Sequence, residues 1–155
     1  AWIGHGAEHE KVMEFFRQSG MPSDHVVSPG KCPLDVAMRT LASGSVALNA
    51  YPDIPSLHWN YVLKAPEFLS LGLPVVTSDM PGVRAYVAEN ETGLFFKSGD
   101  WDAAFDCLSK LLASSDEVAR MRMNCLNSAD KFDWDMIKKQ IVGFVVEKVS
   151  MGQPH

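Results

Sequence analysis

The chain has 155 residues, 46% of them hydrophobic and 21% charged, with a formal net charge of -5. That is one globular domain's worth, able to bury about two thirds of the surface its unfolded form would expose. No apolar run approaches the roughly 20 residues that span a bilayer, and the acidic balance argues against a general nucleic-acid binder, whose affinity rests on basic neutralisation of phosphates.

Ala1 to Ile3 reads as the inside of a strand, without the basic, apolar and cleavage regions of a signal peptide, so the chain is expected to be a fragment. Gly4-His5-Gly6 follows as a strand-to-helix turn, and its two glycines allow close approach to a phosphate or to a neighbouring stretch of chain. The third glycine of a dinucleotide fingerprint would fall at His9, which disfavours a nicotinamide dehydrogenase. Apolar Val12, Phe15 and Phe16 among charged neighbours predict an amphipathic helix over 7–19, ended by Gly20. His25 to Val27 reads as a short strand, and Ser28-Pro29-Gly30-Lys31 as a turn. Pro33 opens a second helix whose inward face carries Val36, Met38, Leu41 and Ala42.

Residues 45–49 read as a buried strand, and 51–60 as a long loop rich in turn formers and aromatics. The segment KAPEFLSLGLPVVTS (64–78) is the most informative. Phe68, Leu69 and Leu71 crowd one side of a short helix, Gly72 supplies a left-handed stop, Pro74 blocks continuation, and Val75 and Val76 begin a buried strand. Asp79 to Gly82 then turns into a short helix over 83–89, and a strand follows over 94–96. Helices are predicted over 101–113, 116–131 and 134–149, the first capped by Asp100 and the last by Asp133, with apolar Ile137, Ile141, Phe144 and Val145 paired along the last. Residues 151–155 are expected to form a loose tail to a domain spanning 1–150. Alternating strands and helices followed by helices alone give the predicted fold class: α/β, a doubly wound parallel sheet with a helical C-terminal tail.

Cys32, Cys107 and Cys125 are odd in number and widely spaced, so neither a disulfide framework nor a zinc site is signalled, and a reducing cytoplasm is the expected location. The five histidines do not fall at metal-ligand spacing with Cys or carboxylates, and no nucleophile elbow is present; no metal and no cofactor are expected.

The 64–78 segment resembles the K-x-x-E-[YF]-[LM]-[AS]-x-G-x-P-V-V-x-[ST] stretch of group 1 glycosyltransferases of the GT-B fold, matching at Lys64, Glu67, Phe68, Leu69, Ser70, Gly72, Pro74, Val75, Val76 and Ser78. WIGHG, HVVSPGK, PGVRAYVAENETGLFFKSGD and KFDW resemble further family segments in the same order. The resemblance implies the C-terminal Rossmann-like half of a retaining-type enzyme, which binds a nucleotide-sugar donor. The family's domain normally opens with one more strand and helix, carrying an Arg and a Lys on the donor diphosphate, and nothing here matches that opening. An N-terminal domain binding a sugar or lipid acceptor would complete the cleft, so the isolated chain is expected to be inactive. Cytoplasmic placement, with peripheral membrane attachment as an alternative for the full-length enzyme, goes with this reading.

Glu67 is the leading site residue, because a carboxylate at a helix start can accept two hydrogen bonds from the vicinal hydroxyls of a ribose, which the family's matching Glu does. Lys64 lies three residues earlier, and either pairs with Glu67 or offers its ammonium to a donor phosphate. Pro29, Gly30 and Lys31 match a turn beside the nucleobase in the family, with a structural turn as the alternative. His58, Trp59, Asn60 and Leu63, with Tyr61 among them, precede or open the Glu67 helix and are candidates for the donor sugar or diphosphate, as are Gly4 and Gly6. Many relatives carry a Glu where this chain has Trp59, and a Trp can stack on a sugar face but cannot accept a hydroxyl hydrogen bond. Two other readings stand beside the transferase: a non-catalytic Rossmann-like interaction module, and a GT-B type sugar-nucleotide epimerase. An unprotected sheet edge would also invite pairing with a second copy.

Overall fold

The computed structural model describes residues 6–58 and 63–151. The chain divides into two compact units between Gly44 and Ser45.

In the first unit, α1 (His9–Gln18) is the amphipathic helix predicted from the spacing of Val12, Phe15 and Phe16, and α2 is Leu34–Ala42. The strand expected at His25–Val27 is not there. Ser23–His25 instead forms one 3-10 turn, because the amide of His25 donates to the carbonyl of Pro22 and that of Val26 to Ser23, closing the chain on itself before it can extend. No described residue of this unit is buried.

The second unit holds a parallel sheet in the order β1-β2-β3, formed by Ala47–Asn49, Val75–Ser78 and Gly93–Phe96. Val76 pairs in register with Leu48 on one side and Leu94 on the other. β2 is the central strand, and all four of its residues are buried, which explains its continuous apolar run. β1 is shorter than its predicted 45–49 span, and Leu48 is exposed.

Short helices α3 (Pro55–His58) and α4 (Lys64–Ser70) join β1 to β2, and α5 (Pro81–Arg84) leads towards β3. α6 (Trp101–Leu112), α7 (Ser115–Ala129) and α8 (Trp134–Met151) follow. Helices cover both faces of the sheet. On one, Val76, Leu94 and Phe96 pack with Ala104 and Leu111 of α6 and Met121 of α7. On the other, the Arg84 guanidinium lies 4.3 Å above the Phe95 ring, and Val87 closes over Gly93 so tightly that an added Cβ would stand 2.8 Å from Val87 Cγ1. The predicted α/β class with a parallel sheet is the fold observed.

Side-chain caps start the long helices as their sequences require. Asp100 accepts from the amide of Ala103, Ser114 from that of Glu117, and Asp133 from those of Asp135 and Met136. The apolar positions of α8 do not find a core: Ile141, Phe144 and Val145 stay exposed.

Candidate functional site

The strands of a parallel sheet end on one side, and that side is where an open α/β sheet binds ligands. Here three hydroxyls tie down the chain as it leaves β1. Thr77 Oγ1 donates to the carbonyl of Asn49 at 2.9 Å, Ser78 Oγ accepts from the amide of Tyr51 at 2.9 Å and donates to its carbonyl at 3.1 Å, and Ser98 Oγ donates to the same carbonyl. The loop after β1 is thereby fixed over the ends of β2 and β3.

A cleft of 440 Å³ opens on this side. Arg84 forms one of its walls and is held from several directions. Its Nε and Nη2 donate to the two oxygens of Asp79 at 2.5 and 2.9 Å, and Glu89 lies 3.7 Å from Nη1. Hydrogen bonding to Arg84 holds the Asp79 carboxyl below the usual aspartate range, and the same bonds raise the guanidinium. Across the cleft, His58 Nε2 lies 2.7 Å from Asp53 Oδ1. Lys97 also lines the cleft.

α4 joins two parallel strands and therefore runs against them, which brings its first turn to the side where the strands end. Lys64 and Glu67 stand in that turn. Lys64 Nζ donates to Glu67 Oε2 at 2.9 Å, and the Glu67 side chain remains 36% exposed, so one carboxylate oxygen is engaged and the group is open to solvent rather than sealed beneath packing. Below it, Ala65, Phe68 and Leu69 are buried and anchor the helix. Gly72 then takes φ +69, the left-handed stop read from the sequence.

Residues 61–129 match the family described as "Glycosyl transferases group 1". This segment belongs to the group 1 glycosyltransferases. It contains Lys64, Glu67, the Asp79–Arg84 pair and the entire β2–β3 edge of the cleft. Among curated relatives of this glycosyltransferase segment, a D-inositol 3-phosphate glycosyltransferase of Gordonia bronchialis is 34% identical over 69% of this chain, and a phosphatidyl-myo-inositol mannosyltransferase of Mycobacterium leprae is 26% identical over 90%. The chain spans 22% and 35% of the length of those two proteins. Sucrose-phosphate synthase of Thermosynechococcus elongatus superposes on 95% of the chain with a TM-score of 0.76 at 21% identity, covering 36% of that protein. Anabaena HepE, solved in complex with UDP-glucose, superposes on 94% with a TM-score of 0.75 at 16% identity, covering 40%. These likenesses show the fold, the α/β architecture of the GT-B glycosyltransferases.

Of the residues singled out in the sequence, Lys64 and Glu67 meet directly, Leu63 is exposed just ahead of them, and His58 lies in the cleft beside Asp53. Gly4, Trp59, Asn60 and Tyr61 lie outside the described residues. In the first unit, Gly6 has open space where a Cβ would stand, Gly30 takes φ +64 in its turn, and Pro29 and Lys31 are exposed. Sequence reasoning missed Asp53, Asp79, Arg84 and Lys97. The available signal was an acidic residue set directly after a buried strand, where the carboxyl end must face a ligand; Asp79 follows β2 in this way.

Among the described residues no His, Cys, Asp and Glu group suits a metal ion, and no helix is long and apolar enough to cross a membrane.

Proposed function

We propose that this chain is the donor-binding part of a glycosyltransferase that moves a sugar from a nucleoside diphosphate to an acceptor. The carrying observation is the half-exposed Glu67 carboxylate in the first turn of α4, on the side where the parallel strands end. A carboxylate there can accept from both hydroxyls of a ribose, and Lys64 beside it can turn its ammonium from Glu67 to a phosphate once the ribose takes over that oxygen. His58 and Leu63, on either side of residues 59–62, fit the diphosphate or the sugar. Binding the diphosphate would offset the charge that grows on the leaving group, the main catalytic help this part can give.

That HepE was solved with UDP-glucose supports uridine as the first base to test. The names of the inositol-phosphate and phosphatidylinositol relatives support a polyol or lipid acceptor, held by the part of such enzymes that this chain does not span. Cytoplasmic placement, at or away from a membrane surface, belongs to the same reading. Protein cations rather than a metal would meet the diphosphate.

Isothermal titration with UDP tests this. Wild-type chain should bind UDP equally well with or without EDTA, and Glu67→Ala should weaken binding by about tenfold, the loss of a hydrogen-bonded charged partner. Absence of UDP and GDP binding at millimolar concentration would favour a non-catalytic interaction module instead.

A further inference from the structure

Towards the opposite end of the sheet lies a second cleft, which shares Arg84 with the donor-side cleft but none of its other lining residues. α7 lies across the turn that enters β3. Arg120 Nη2 donates to the carbonyl of Asn90 at 2.7 Å, Asn124 Nδ2 to that of Glu91 at 3.1 Å, and Cys125 Sγ to that of Thr92 at 3.6 Å, three successive carbonyls before the first residue of β3. The turn is tight enough that Asn90 takes φ +60, the left-handed region that asparagine tolerates better than other side chains. Beside this junction opens a cleft of 390 Å³, within the size range of small-molecule sites.

Its lining combines two kinds of surface. Tyr86 and Phe132 form an aromatic corner, with ring centroids 5.2 Å apart and planes tilted by 57°. Asn124 and Asn127 stand three residues apart on α7 and so face the cleft together, with Glu91 and Lys131 also lining it. The bond from Asn124 Nδ2 to Glu91 leaves its Oδ1 as an acceptor, while the Asn127 carboxamide and the Lys131 ammonium make no hydrogen bond or ion pair among the described residues.

We propose that this cleft is a carbohydrate-binding site, separate from the donor site and specific for an uncharged sugar ring. A pyranose presents an apolar C–H face and a rim of adjacent hydroxyls, each both donor and acceptor. The aromatic corner meets the first, and planar carboxamides, a carboxylate and an ammonium meet the second. Arg84 also lines the cleft but is paired with Asp79 and Glu89, so Lys131 beside Glu91 leaves little net charge with which to hold a phosphate, which argues against a second nucleotide. A sugar bound here would tether a glycan to the enzyme beside the entry to β3.

Saturation-transfer NMR on the whole chain, with methyl α-glucoside, methyl α-mannoside and methyl α-galactoside as probes, tests the proposal. At least one glycoside should show signal that excess UDP leaves unchanged, and that falls by about fivefold in Asn127→Ala or Lys131→Ala, the effect of losing one hydrogen bond. Both side chains are exposed, so the variants should keep the wild-type circular dichroism and UDP binding. Absence of signal with all three glycosides would overturn the proposal, as would signal abolished by UDP or signal indifferent to both substitutions. UDP binding is read in the same samples, so failure of this site is distinguishable from failure of the donor reading.

Discussion

Two acidic protons show how differently the same sheet treats its two ends. Cys125 is fully buried against β3's entry turn, and burial pushes its thiol up to about 12. A thiolate is the reactive form, so Cys125 should resist iodoacetamide at pH 8.5 in the native chain and react on unfolding. Because its folded pKa is raised, its contribution to stability is complete below the unfolded thiol's value and declines as pH rises above it, from about pH 8.5 upward. Urea titrations at pH 7 and 10, on wild type and Cys125→Ala, should show the wild type losing the larger share of stability at pH 10. At the other end, Asp79 shifts the opposite way because Arg84 favours its charged form, and its contribution is lost only in acid, as pH falls through its lowered pKa. Burial thus favours the neutral thiol of Cys125, whereas Arg84 favours the charged carboxylate of Asp79.

Among the elements, the α4–Gly72–β2 unit was the most legible in the sequence, because each boundary there has a local cause. Gly72 takes the backbone conformation that ends α4, and an added Cβ would also stand 3.1 Å from both Arg122 Cγ and Leu126 Cγ of α7. Gly93 is stricter still: a Cβ there would stand 2.1 Å from the carbonyl oxygen of Val75, which is backbone and cannot move aside. Gly72→Ala should therefore cost about 1–2 kcal/mol for the left-handed backbone alone, whereas Gly93→Ala should prevent cooperative folding; thermal unfolding of the two variants checks the order. Where causes are not local, the sequence was silent or misleading. His25-Val26-Val27 has β-forming residues between turns, but nothing in the segment itself reveals that its amides find partners within a 3-10 turn. The ion pairs of the cleft at the strand ends escaped for a related reason. Asp79 and Arg84 meet because the chain leaves a buried strand and turns into α5, and Asp53 meets His58 across another turn. Neither spacing belongs to a helix or strand period. Glu67 and Lys64, three apart on one helix, obey such a period and could be read.

At the scale of the whole molecule, burial is concentrated in one unit. Every buried hydrophobic residue among those described lies between Ala47 and Cys125. A polypeptide of residues 45–155 should therefore unfold cooperatively by itself. Native-state hydrogen exchange on the whole chain should show the amides of β2 and β3 exchanging far more slowly than those of α1 and α2, since exchange follows local burial and contact density. Equal protection in the two units would contradict that distribution. The exposed apolar residues of α8 lie outside this core and leave it intact.

Glu67 holding both ribose hydroxyls is the central contact of the proposed donor site, and a double-mutant cycle reads it directly. UDP and 2',3'-dideoxy-UDP would be titrated against wild type and Glu67→Ala. Removing the hydroxyls should weaken binding by about tenfold in wild type and hardly at all in the variant, because the two changes delete one interaction. Equal losses in both proteins would place the ribose elsewhere and contradict the assignment.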